Sequence, residues 1–180
     1  MAFDAQTLTT LAAANGYAKL SERELLEAFI AALATTMTPS NCGFLSAYHP
    51  GGPFINVLST GVYYPVTNYI ASLTSGTVTV DKVAGTITIA TAGNYRVSFS
   101  VSFTAGQNDR VEADVALNGV PTDVIAGHGS SSSNVAARDD CIAGSGILSL
   151  QAGSVLSIMA ENIDSTTLTL SHVQLSVGTA

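Results

Sequence analysis

The chain has 180 residues, enough for one domain with a real core and a short appendage. It is 47% hydrophobic but only 11% charged, against roughly 25% in ordinary soluble proteins, and its net charge is -7 with six Lys and Arg in all. Phosphate backbones and anionic membrane surfaces both require clustered cations, which excludes nucleic acid and a membrane surface as partners.

Ser, Thr, Gly and Ala take the place of the missing charge. That profile suits a β-rich protein whose surface is partly covered by other subunits, or a sandwich that is simply neutral outside. The start, Met1-Ala2-Phe3-Asp4-Ala5, has no basic region of the kind that opens a secretion signal. The longest apolar run, Ala28 to Ala34, is far too short to span a bilayer. Cys42 and Cys141 form neither a disulfide framework nor a zinc site, and two free thiols made in a reducing cytosol are expected.

Two helices are predicted first. Asp4 caps one that ends at Asn15-Gly16, where glycine takes the left-handed conformation cheaply. Ser21-Glu22-Arg23-Glu24 has capping-box spacing and opens the second. There Leu25, Leu26, Phe29, Ile30 and Leu33 share one apolar stripe. A hairpin this small cannot stand alone and needs a second surface, its own β domain or a partner. Thr35 to Ser40 reads as a linker. The stretch from Asn41 to Thr74 is rich in Gly, Pro and Tyr and offers only short strand candidates, at Phe54–Leu58 and Tyr63–Tyr69.

Beyond it the chain becomes a ladder of alternating strands. Val78–Val80 and Ile87–Ile89 flank a turn at Asp81–Gly85. In the next strand Tyr95, Val97, Phe99, Val101 and Phe103 fall on one face, while Arg96, Ser98, Ser100 and Ser102 fall on the other. Val111, Ala113, Val115 and Leu117 alternate with Arg110, Glu112, Asp114 and Ala116, and Asn118-Gly119 closes the strand with a hairpin dipeptide. A loop is expected over Gly127-His128-Gly129 and Ser130 to Ser133. Strands resume at Ile142–Leu150, turn at Gln151-Ala152-Gly153, and run through Val155–Ile163 and Leu168–Val177. The last two break strict alternation. Leu168 and Leu170 lie on one face and Val173, Leu175 and Val177 on the other, so either a bulge near Ser171-His172 restores a single face, or both faces are buried and a second subunit covers one.

No nucleophile elbow, phosphate loop or metal-ligand spacing occurs. His49, His128 and His172 read as structural. Arg138-Asp139-Asp140 with Asp164 could help bind calcium, or could be a solvated loop with a local Arg–Asp pair. Glu112 and Asp114 beside Arg110 read as a charged outer strand face, either edge protection or a rim. Tyr63, Tyr64 and Tyr69 offer either a glycan-stacking surface or packing. No enzyme, cofactor or metal is expected.

Ala92-Gly93-Asn94-Tyr95-Arg96-Val97-Ser98-Phe99, Leu117-Asn118-Gly119, and Leu150-Gln151-Ala152-Gly153-Ser154-Val155 before a closing apolar strand resemble the jelly roll of the tumour necrosis factor and complement globular-head superfamily. The resemblance spans about residues 76 to 178. It implies a mainly β, antiparallel jelly-roll sandwich that forms a homotrimer, with the last strand close to the threefold axis. Leu156, Ile158, Leu168, Leu170 and His172 are the trimer-interface residues expected from it. Phage virions carry such domains as head decorations, head fibres and tail-fibre tips, and the N-terminal pair is similar to helical leaders of some phage structural proteins. The expectation is therefore a virion protein made in the host cytoplasm. Residues 1–38 would be a helical attachment segment gripping a major capsid or tail protein through Leu25, Phe29, Ile30 and Leu33, and residues 39–180 a trimerising jelly roll. The alternative is a receptor-binding module at a tail tip that recognises a host glycan or protein.

Overall fold

Strand β6 (Gly93–Ala105) sets the architecture. Its alternation puts Tyr95, Val97, Phe99, Val101 and Phe103 into the core and leaves the serines outside. The buried Tyr95 keeps its hydroxyl satisfied by donating to the Thr91 carbonyl at 2.8 Å. A computed structural model of the chain describes residues 41–48, 55, 57–131 and 140–180, all within one unit, Ser40–Ala180. The expected N-terminal helices, with Leu25, Phe29, Ile30 and Leu33, lie outside the described residues, as do the linker, His49, Phe54, Ser132, Ser133, Arg138 and Asp139.

The other strands are β1 (Cys42–Tyr48), β2 (Tyr64–Pro65), β3 (Ala71–Ser75), β4 (Thr79–Asp81), β5 (Thr86–Thr88), β7 (Arg110–Leu117), β8 (Val120–Ser130), β9 (Asp140–Leu150), β10 (Val155–Asn162) and β11 (Leu168–Thr179). They form two antiparallel sheets. The first runs β3-β1-β11-β6-β9 and the second β4-β5-β10-β7-β8, with β2 also paired to β10. Leu45, Ile87, Ile89, Val111, Leu156, Ile158, Leu170 and Leu175 fill the space between the sheets.

The bulge reading of the last strand is correct. Pairing with β6 runs from Leu168↔Ala105 to Leu170↔Phe103, then resumes at His172↔Ser102 with Ser171 as the extra residue. Leu168 and Leu170 before it, and Val173, Leu175 and Val177 after it, therefore all enter the core. The hairpin is correct too. Asn118 (φ 54°) and Gly119 (φ 81°) take the left-handed pair of angles that a two-residue turn from β7 to β8 requires.

Three expectations fail. Gly127, His128, Gly129 and Ser130 are not loop but the end of β8, paired to β7 from Ala113↔Gly127 to Arg110↔Ser130. Ser131 is buried, its backbone bonded to Asp109 and Asn108. The stretch Asn41–Thr74 holds two strands the pattern hid, β1 and β3, while Tyr63–Tyr69 contributes only the short β2. The four expected trimer-interface residues Leu156, Ile158, Leu170 (each 0% exposed) and Leu168 (6%) belong to the chain's own core. They sit on the inward faces of β10 and β11, so no second protomer can reach them.

Along one edge the sandwich closes tightly. Gly127 and Gly129 of β8 face Ile142, Phe99 and Phe103, and Gly144 and Gly146 of β9 face Phe99 and Ile125. A Cβ on Gly127 would lie 2.5 Å from Ile142 Cγ2, and one on Gly144 would lie 2.7 Å from Phe99 Cε1. Ile125, Ile142 and the rings of Phe99 and Phe103 occupy the volume that side chains at these positions would need.

Candidate functional site

The outer face of the first sheet is set by register. Leu73, Phe44, Ser176, Ser98 and Ser145 form one row across five strands. Ala71, Ser46, Gln174, Ser100 and Ala143 form the next, and Tyr48, His172, Ser102 and Cys141 the one beyond. On the other side lie Cys42, Gly178, Arg96 and Ile147. Arg96 alone among these positions bears a fixed charge, in a chain whose net charge is -7. Ser98 and Ser176 satisfy each other across β6 and β11, their Oγ atoms 2.7 Å apart. Phe44, Ser98, Ser100, Gln174 and Ser176 line a shallow groove of about 230 Å³. Apolar groups stand at the margins: Tyr48 (65% exposed), Leu73 (64%) and Ile147 (60%). His172 is the one expected interface residue on this face, with its ring edge-on to Tyr48 at 6.5 Å.

Such a face is cheap to desolvate. Hydroxyls and amides exchange hydrogen bonds readily across an interface, whereas every carboxylate or ammonium would need a partner. The sequence showed the serines of β6 as a polar face. It did not show that β1, β9 and β11 extend the same neutral character across the sheet, because strand order cannot be read from one strand.

The outer face of the second sheet is the opposite case. Register places His128, Glu112 and Glu161 in one row on β8, β7 and β10. Tyr63, just before β2, completes it by donating from its hydroxyl to Glu112 Oε2 at 3.0 Å. His128 Nδ1 lies 3.3 Å from Glu112 Oε1. Glu161 is only 8% exposed. Burial, the Glu112 charge and a carboxyl–carboxyl hydrogen bond push its pKa up. Burial and the bond to Glu112 likewise raise Tyr63. The expected solvated charged face is thus wrong for Asp114, which is 0% exposed. Its carboxylate accepts from the Asp123 N–H at 2.7 Å and the Thr122 hydroxyl at 3.2 Å, which pins the irregular part of β8. Burial outweighs these bonds and raises its pKa. Nor is β7 an edge, since β8 flanks it. Beside the row an open groove of about 420 Å³ is lined by Arg110, Glu112, His128, Gly129, Ser130 and Ile163.

Of the calcium candidates, Asp164 is already engaged. Arg110 grips both Asp164 oxygens, at 3.0 Å from Nε and 2.8 Å from the terminal nitrogen, and its backbone N–H adds a third bond at 2.8 Å. These bonds hold the Asp164 pKa down at about 2. Among the described residues no three His, Cys, Asp or Glu side chains gather as a metal site. The three tyrosines do not make a stacking platform, because Tyr69 is buried in the core, Tyr64 packs against it and Tyr63 is tied to Glu112.

Neither a family model nor a curated protein sequence matches the chain. Solved structures do. The globular domain of zebrafish complement 1qA protein is 13% identical with a TM-score of 0.54, covering 78% of this chain and 96% of its own. Murine APRIL is 12% identical with a TM-score of 0.53, covering 77% and 99%. Eiger TNF from S. frugiperda is 12% identical with a TM-score of 0.55, covering 79% and 93%. At such identities the likeness is one of fold: the described domain is a jelly roll of the tumour necrosis factor and complement 1q type.

Proposed function

We propose that the chain is a non-enzymatic assembly module, a homotrimer joined through the outer face of its first sheet. It decorates a bacteriophage capsid and is held there by residues 1–38. The observation that supports self-association most is the near-absence of fixed charge across four rows of that sheet, in a chain that is otherwise acidic. Interface cores are depleted in charge for the same reason, and closed cyclic symmetry is the usual way to bury such a face. The capsid location rests on the resemblance of the sequence to phage structural proteins.

Light scattering on the full chain tests the assembly. The expected mass is three times the 18.3 kDa chain, and a monomer at micromolar concentration overturns the proposal. Gln174→Glu, nearly isosteric, places one buried like charge per protomer on the face and should leave folded monomers. Incubation with bare phage shells tests the location. The full chain should bind and residues 39–180 should not. Binding to host cells in place of shells would support receptor recognition at a tail tip.

A further inference from the structure

The row on the second sheet contains a contradiction that a proton resolves. Glu112 and Glu161 stand directly opposite each other on β7 and β10. Like charges in that position destabilise a sheet. The groups around the pair are Arg110 and Asp114 on β7, His128 on β8, Tyr63 before β2, and Asp164 after β10. Arg110 is taken by Asp164. His128 touches Glu112 from the open side, and no cation of this group reaches Glu161 in a described ion pair.

The segment 61–66 pairs along the edge of β10 that faces away from β7. The Gly61 N–H donates to the Asn162 carbonyl at 3.0 Å, and the Val66 N–H donates to the Ile158 carbonyl at 2.9 Å. Between them Tyr64 and Pro65 pair with Ala160 and Met159. Tyr63, in the same segment, reaches across to Glu112. We propose that Glu161 holds a proton beside Glu112 and acts as a pH-operated latch, keeping segment 61–66 seated on β10 through the bond from Tyr63 to Glu112 in mild acid and loosening it as pH rises.

The sign follows from linkage. Glu161 titrates above the ordinary glutamate value, which is about 4.3. Between those two values the folded chain binds more protons than the unfolded one, so stability falls as pH rises. Above the raised value two carboxylates face each other, and the edge segment tied to them through Tyr63 is the part that loosens.

Amide hydrogen exchange of the full chain, read by NMR as protection factors from about pH 5 to about pH 8, tests the latch. Protection at Gly61 and Val66 should fall about tenfold or more across this range in the wild type. In Glu161→Gln it should stay high and flat. Asp140→Asn removes one charge from the first sheet and should behave as wild type. The same pH slope in Glu161→Gln as in the wild type overturns the proposal, as does wild-type protection independent of pH. Recovery of protection at pH 8 on adding calcium, in the wild type but not in Glu161→Gln, would make a metal and not a proton the operator and would also overturn it.

Discussion

Gly144→Ala tests whether the glycine edge is a packing requirement. Gly144 stands opposite Phe99 in the β6–β9 ladder, and its φ is not in the left-handed region. Alanine therefore fits the backbone and, by restricting the unfolded chain, should stabilise by about 0.4–1 kcal/mol on its own. Packing opposes this. The new Cβ would sit 2.7 Å from Phe99 Cε1, where carbon contacts are ordinarily about 3.5–4.0 Å, so the ring must retreat by about 1 Å. Phe99 is 4% exposed, and Gly127 stands behind the ring with its virtual Cβ 3.8 Å from Phe99 Cζ. Overpacking of this kind costs about 1–3 kcal/mol, so packing wins and the net loss is about 0.5–2 kcal/mol. The discriminating assay is a double-mutant cycle with Phe99→Leu, read by guanidinium unfolding at one fixed protein concentration. With the ring edge gone, Gly144→Ala should cost nothing or stabilise, giving a coupling of about 1–2 kcal/mol. Additive costs, or a Gly144→Ala protein as stable as wild type, would refute the reasoning.

Two further outcomes follow from the polar contacts. Asn162, fully buried, donates to Asp109 and the Thr167 carbonyl and accepts from the Asp164 and Ser165 N–H groups. Asn162→Ala leaves that loop without its anchor and should lower stability by about 3 kcal/mol in denaturant unfolding. Asp164 titrates near 2 in the folded chain, so its contribution is complete above about pH 4 and is lost as pH falls toward 2. Asp164→Asn should flatten the acid limb of a thermal-stability profile in that window by lowering stability above about pH 4, pH 7 included, and leaving it unchanged near pH 2, and the loss should be small because both partners of the Arg110 pair are solvent-exposed.

Where the core is made of large residues, the sequence was legible. β6 is read correctly residue by residue, and the odd spacing from Leu170 to Val173 announces the bulge. Where the core side is made of small residues, the pattern inverts. In β1 the inward positions are Gly43, Leu45 and Ala47, and the outward ones include Phe44 and Tyr48. Gly43 must be small because a Cβ there would lie 2.8 Å from Ile87 Cγ2, so the bulkier residues mark the wrong face. β8 fails alike: Gly127 and Gly129 point inward and look like a loop. Leu156, Ile158, Leu168 and Leu170 prove to be core for a related reason. Apolar parity on β10 and β11 identifies a buried face but not what buries it, and here the opposite sheet does. The Glu112–Glu161 pair was out of reach because it depends on the register between strands nearly fifty residues apart.

The bulge in β11 also governs which changes in length the strand can survive. Elsewhere along Leu168–Thr179, gaining or losing a single residue turns every following core side chain outward. Ser171-His172 is the exception. Without one of the two, Leu168, Leu170, Val173, Leu175 and Val177 would alternate without interruption. A lineage carrying this domain can therefore shorten its central strand by one codon at the bulge and keep its core, whereas between other core positions of the strand such deletions must come in pairs.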